Sequence, residues 1–70
     1  MDIEWEDGFT IGVKVDNENN VVISANKEGL LSLAKQLASL AEAEVGCHIH
    51  YDEYNSLEDG SSAMIIEKIN

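Results

Sequence analysis

The two histidines of the chain stand two residues apart in HIHYD, residues 48–52, with an aspartate two further on. Imidazoles and carboxylates are the groups of metal sites and of general acid–base chemistry, so this stretch has the strongest chemical potential in the chain. On an extended strand His48 and His50 point the same way and lie ~6.6 Å apart at a rise of ~3.3 Å per residue. Two imidazoles so placed can share one zinc ion, with nitrogen–metal distances near ~2.0 Å. Asp52 falls roughly 13 Å from His48 on the same arithmetic, too far to join them unless the strand bends. A third ligand would have to come from Glu53, Glu58, Asp59 or Glu67, and Cys47 points to the opposite face. His48 and His50 are thus an incomplete metal pair, and no cofactor is expected. The plainer reading puts both on the less buried face of a strand, where nearby acids favour the protonated form. His50 and Asp52 then help fold the acidic loop after them over the strand, as part of a recognition surface.

Catalysis finds little support elsewhere. A nucleophile needs a base and a partner that orients it. Cys47 is expected on the core face, away from both imidazoles, and Ser56, Ser61 and Ser62 lie in a loop without a glycine-flanked nucleophile turn. The NKEG stretch at a helix start could meet an anion, yet it lacks a phosphate-loop glycine pattern and the overall charge opposes it. Fourteen acids face four lysines for a formal charge of −10, and seven of those acids fall between Lys35 and Lys68 with no lysine among them. Such a surface repels nucleic-acid backbones and steers basic partners inward, although acidity also simply keeps a small protein soluble. The expected enzyme activity is none, and nucleic acid is not an expected partner.

The elements that must position these groups follow from the hydrophobic pattern. Seventy residues make one expected domain, 1–70, with 44% apolar residues for an aliphatic core. The apolar runs are too short to span a bilayer, the acidic N-terminus is unlike a secretory signal, and Cys47 has no partner for an internal disulfide. These features predict a cytoplasmic protein with no membrane association. Ile3 and Trp5 alternate with acids, as do Phe9, Ile11, Val13 and Val15 with smaller or polar residues. A three-residue loop, Glu6-Asp7-Gly8 with Gly8 left-handed, would pair Trp5 with Phe9 and Ile3 with Ile11 as two strands. A polar turn over 16–20 leads to a third strand at 21–25, and Asn26 is placed to cap a helix.

The spacing of Leu30, Leu33, Ala34, Leu37, Leu40 and Ala41 predicts the buried stripe of that helix, with Lys35, Gln36, Ser39 and Glu42 off it and Gly46 as its stop after residue 44 or 45. Residues 47–51 form a strand with Cys47, Ile49 and Tyr51 on one face. A loop from Asp52 to Ser62 is pinned by Tyr54 and Leu57, and a last strand at 63–69 is apolar on both faces and so central. The expected fold class is α+β: a mainly antiparallel four- to five-stranded sheet, β-β-β-α-β-β, with one helix packed on one face. Its helix-free face would remain apolar and mark an interface with a protein partner or a second copy. Trp5 reads first as packing and second as a binding anchor, tryptophan being enriched among hot spots.

The stretches ISANKEGLLSLAKQLASLA and HIHYDEYNSLEDGSSAMIIEK carry a resemblance to small bacterial proteins of the immunity protein 32 family, found beside polymorphic toxins. It covers roughly residues 21 to 69. The shared pattern is an Asn-x-Glu-Gly-Leu helix start (Asn26, Glu28, Gly29, Leu30), the helix positions Leu33, Ala34, Leu37, Leu40 and Ala41, a His-x-Asp strand end (His50, Asp52), a Leu-Glu-x-Gly-Ser loop (Leu57, Gly60, Ser61) and a closing strand with Ile65 and Ile66. Ala63 departs from it, standing where the family usually has an acid. The resemblance implies a non-catalytic protein that neutralises a cognate toxin. Charge complementarity makes that toxin an expected basic partner, met by the acidic surface and the 52–62 loop. The residues expected at that contact are Trp5, His50, Asp52, Glu53, Tyr54, Glu58 and Asp59. The alternatives are a homodimeric scaffold or regulator working through the helix-free sheet face, and a metal-binding module at His48 and His50.

Overall fold

The computed structural model describes residues 3–70. Strand β1 (Ile11–Val15) pairs antiparallel with β2 (Val21–Ala25), helix α1 (Lys27–Ala41) follows, and β3 (His48–Tyr51) pairs antiparallel with β4 (Met64–Glu67). The chain is α+β, but its strands make two separate two-stranded sheets rather than one sheet of four or five. One core joins them: Ile11 and Val13 of β1, Leu33 and Leu40 of α1, Ile49 and Tyr51 of β3, and Leu57 from the loop.

The β1–β2 hairpin forms where the polar turn was expected. The Asp16 carboxylate accepts from the backbone N–H of Glu18 (2.8 Å) and Asn20 (2.9 Å) and from the Asn20 amide (3.0 Å), while Asn19 takes a left-handed φ of 64°. The bonds from Asn20, then that from Glu18, favour the ionised form and hold Asp16 below the usual carboxylate range.

The expected first strand is absent. Residues 3–6 run as irregular chain bonded to the helix, with Gln36 Nε2 donating to the Glu4 carbonyl (2.8 Å) and the Glu6 N–H donating to Ser32 Oγ (2.8 Å). The left-handed Gly8 and the meeting of Trp5 with Phe9 both occur, at φ 79° and a stacked centroid distance of 4.4 Å. That contact is made across a tight turn in which the Phe9 N–H donates to the Glu6 carbonyl, without a strand ladder.

The buried face of α1 consists of Gly29, Ser32, Leu33, Gln36 and Leu40. Leu30, Ala34, Leu37 and Ala41, expected inside, lie on the exposed side. The helix is turned because Ser32 and Gln36 have buried partners to satisfy. Tyr51 Oη donates to Gln36 Oε1 at 2.7 Å, completing a chain from strand β3 through the helix to the Glu4 carbonyl. The helix also stops earlier than expected, at Ala41 with Glu42 as cap, and Gly46 (φ 94°) belongs to the turn beyond. Lys68 closes that end by donating to the carbonyls of Ala41 (2.7 Å) and Ala43 (2.8 Å). At the other end Asn26 Oδ1 caps Gly29 N–H (2.8 Å) and accepts from Thr10 N–H (3.0 Å), and its amide donates to the Gly8 carbonyl (2.9 Å). The expected central strand at 63–69 is instead the edge strand β4, with Ile65 and Ile69 exposed.

Gly29 lets α1 rest directly on β1. A Cβ there would run into the Thr10 carbonyl and lie 2.9 Å from Ile11 Cγ1. Gly29→Ala should therefore destabilise the fold by about 1–3 kcal/mol despite alanine's better helix propensity, visible as a lowered melting temperature; a raised one would contradict this close approach. Burial pushes the Tyr51 phenol above its ordinary value of 10.0. Its protonated form is the one the fold favours, so the stability it confers is complete below pH 10.0 and declines as the pH rises through the native value. Tyr51→Phe should cost about 1–3 kcal/mol at neutral pH, by leaving Gln36 Oε1 unpaired, yet lose stability less steeply in alkali. Parallel denaturation curves across the alkaline range would check both halves.

Candidate functional site

HIHYD lies where alternation placed it. Ile49 and Tyr51 are buried, His48 and His50 are exposed, and the register sets His48 opposite Glu67 and His50 opposite Ile65. Among the described residues no three His, Cys, Asp or Glu side chains gather into a possible metal site. His50 Nε2 stands 3.7 Å from Asp52 Oδ2 with the imidazole exposed and the carboxylate half-buried, a contact of little energetic weight.

Asp52 has a larger part than its histidine neighbour. Its Oδ1 accepts from the N–H of Tyr54 (2.9 Å) and Asn55 (3.0 Å), and its carbonyl accepts from Ser56 (3.1 Å) and Leu57 (2.9 Å). Asn55 returns the favour: its Oδ1 accepts from Asp52 N–H (3.1 Å) and its amide donates to the His50 carbonyl (2.9 Å). The loop thus starts as a tight carboxylate-centred turn. Leu57 then enters the core, and the chain docks on the outer edge of β1. Glu58 N–H donates to the Ile11 carbonyl (2.9 Å), Ser61 Oγ accepts from Val13 N–H (3.1 Å), and Ser62 N–H donates to the Val13 carbonyl (2.8 Å). Glu53 Oε2 accepts from Gly60 N–H at 2.6 Å, tying the two halves of the loop together. Asn55 was not singled out from the sequence; Asp-x-x-Asn after a strand is the turn signal that could have found it.

Leu57 pins this loop as expected, but Tyr54 does not. Tyr54 is 97% exposed, projecting from the pinned turn beside Glu53, with Glu58 and Asp59 exposed further along. Trp5 is half-buried, stacked on Phe9 and edge-on to Tyr51 at 6.2 Å, so it packs the frame. Its rim also lines a cleft of about 240 Å³ together with Ile3, His48, Ile49, His50 and Asn55. The expected contact residues therefore fall into a loop group, Asp52, Glu53, Tyr54, Glu58 and Asp59, and a cleft group, Trp5 and His50.

What this geometry defines is a small α+β frame carrying an acidic loop held by its own hydrogen bonds. The chain belongs to the immunity protein 32 family (Imm32), whose model matches residues 20–69. No curated protein and no solved structure matches it. Membership implies a toxin-neutralising role through binding of a cognate toxin, and immunity proteins are generally non-catalytic.

If Asp52 organises the loop, Asp52→Ala should speed hydrogen–deuterium exchange at Tyr54 and Asn55 and cost about 1 kcal/mol of stability, while Asp52→Asn, which keeps an acceptor, should lose less. Unchanged exchange at both amides would remove Asp52 from that role.

Proposed function

We propose that the chain is a non-catalytic immunity protein that neutralises its toxin by presenting the 52–62 loop and the acids around it. The observation that carries this reading is Tyr54: a large aromatic, 97% exposed, on a loop held by its own hydrogen bonds and by buried Leu57. An exposed aromatic on flexible chain must be ordered on binding, whereas one on a pinned turn is ready to act as an anchor. Glu53 adjoins it in sequence, Glu58 and Asp59 are exposed further along the same loop, and of the lysines Lys35 is paired with Glu6 and Lys68 with helix-end carbonyls. A basic toxin surface is the partner such a field attracts, the charges governing encounter rate and the anchor governing dwell time. The site of action we propose is the cytoplasm, where the lone Cys47 remains a thiol.

A second reading, self-association, has its own support. Val21, Val22 and Ile23 of β2 are exposed, as are Leu30 and Leu37 of the helix and Ile65 of β4. Sedimentation at micromolar concentration separates a monomer from a dimer.

The test of the main reading is titration of a cognate toxin domain, sought among the products of neighbouring genes, at low and high salt. Tyr54→Ala should weaken binding by about 2 kcal/mol or more with an unchanged melting temperature. Charge reversal at Glu58 and Asp59 should slow association and flatten the salt dependence. Absence of binding at every salt concentration sinks the proposal, and wild-type affinity in Tyr54→Ala removes its anchor.

A further inference from the structure

We infer that the cleft beside β3 receives an extended, basic segment of the partner, which adds as a short strand to the outer edge of β3 and seats one apolar side chain against Ile3 and Trp5. The inference rests on the immunity reading and specifies where a toxin chain would lie.

Three observations converge on it. The first is the phase of the ladder. Lys68 N–H donates to the Cys47 carbonyl at 3.0 Å while its own carbonyl accepts from Gly46 N–H at 2.9 Å, so a bulge at 46–47 opens the ladder with the Cys47 carbonyl facing β4. Antiparallel ladders alternate bonded and non-bonded pairs, so the N–H and C=O groups of His48 and His50 turn away from β4, toward the outer edge. The Asn55 amide takes the His50 carbonyl there at 2.9 Å, which fits that phase and leaves the His48 N–H and C=O and the His50 N–H as the groups an added strand would use. The second is the gap. Residues 3–6 could have been the next strand, but Glu4 and Glu6 spend their backbone groups on Gln36 and Ser32 of the helix. Sheet β3–β4 therefore ends at β3, with a cleft of about 240 Å³ between its edge and Ile3 and Trp5. That volume falls below the range of roughly 300–1,000 Å³ typical of small-molecule pockets, and suits one side chain of a passing strand. The third is charge. Asp52 stands 3.7 Å from His50 and Glu67 is the cross-strand neighbour of His48, so acids flank both lining histidines without lining the cleft themselves. Among the described residues, neither lysine nor acid lines the cleft. Lysine or arginine flanking the apolar residue is the complement of such a rim. Asn55 places the cleft next to Tyr54, so strand and anchor form one continuous surface.

Trp5, the sole tryptophan, reports occupancy directly. The probe is a blocked Lys-Thr-Leu-Thr-Lys peptide, compared with its Glu-flanked counterpart and with a version N-methylated at leucine. The lysine peptide should shift Trp5 emission saturably and move the His48 and His50 amide resonances. The other two should bind about tenfold more weakly or less, one through lost charge complementarity and one through a lost backbone donor. Ile3→Lys, at an exposed position whose fold is checked by melting, should abolish the response. No saturable change at millimolar peptide, or indifference to N-methylation, overturns the inference. Titration of the toxin domain distinguishes this failure from a wider one. Undiminished binding by Ile3→Lys alongside loss in Tyr54→Ala removes only the cleft. Loss of toxin binding by the wild-type chain removes the immunity reading itself.

Discussion

The structure depends on a buried chain of hydrogen bonds running from Tyr51 Oη to Gln36 and on to the Glu4 carbonyl, with Ser32 bridging Glu6 and Glu28 one turn earlier. Neither two-stranded sheet would persist alone in water, and the helix between them is the shared support. Apolar packing alone would tolerate many rotations of that helix. A buried amide and hydroxyl must each find a partner, and among the described residues no fully buried side-chain polar atom lacks one. The requirement selects one rotation, fixes Tyr51 at the end of β3 where the acidic loop begins, and draws the N-terminal segment onto the helix rather than onto the sheet.

Several residues of the family pattern hold the frame, whereas Leu30, Leu37, His50 and Ile65 of the same pattern are exposed. Asn26 starts the helix, Gly29 admits it to β1, Asp52 winds the loop, Leu57 buries its middle, Gly60 takes a left-handed turn at φ 85°, and Ser61 clasps Val13. The side chains left facing water, Tyr54, Glu58 and Asp59, lie between these fixed points.

Much of this was legible in the sequence, and the failures share a cause. Alternation in HIHYD sorted the histidines outward and Tyr51 inward because a strand's period is a local property. The helix, its cap and the 16–20 turn were readable for the same reason. The helix face was misjudged because leucine count favoured Leu30 and Leu37, whereas Gln36 and Ser32 have tertiary partners no local pattern displays. The strand expected at residues 3–6 failed on the same bonds. Strand pairing between β3–β4 and the rest is equally non-local, so two apolar faces on 63–69 suggested a central strand where the fold has an edge. Within the candidate site a part for Asp52 in folding the loop was anticipated but its turn with Asn55 was not, and Tyr54 was read both as a pin and as a contact residue, of which the pin fails: an aromatic in a loop signals burial and display alike.

Position 26 illustrates how narrow such a scaffold can make a choice. Serine, aspartate and asparagine are ordinarily near-equivalent at the start of a helix. Here the carbonyl half of the side chain serves Gly29 and Thr10, and its NH₂ half serves the Gly8 carbonyl. Aspartate would set a negative oxygen against that carbonyl, and serine has no second arm to reach it. The usual interchange among capping residues is closed, and one amide group couples the entry of the helix to the bend before β1.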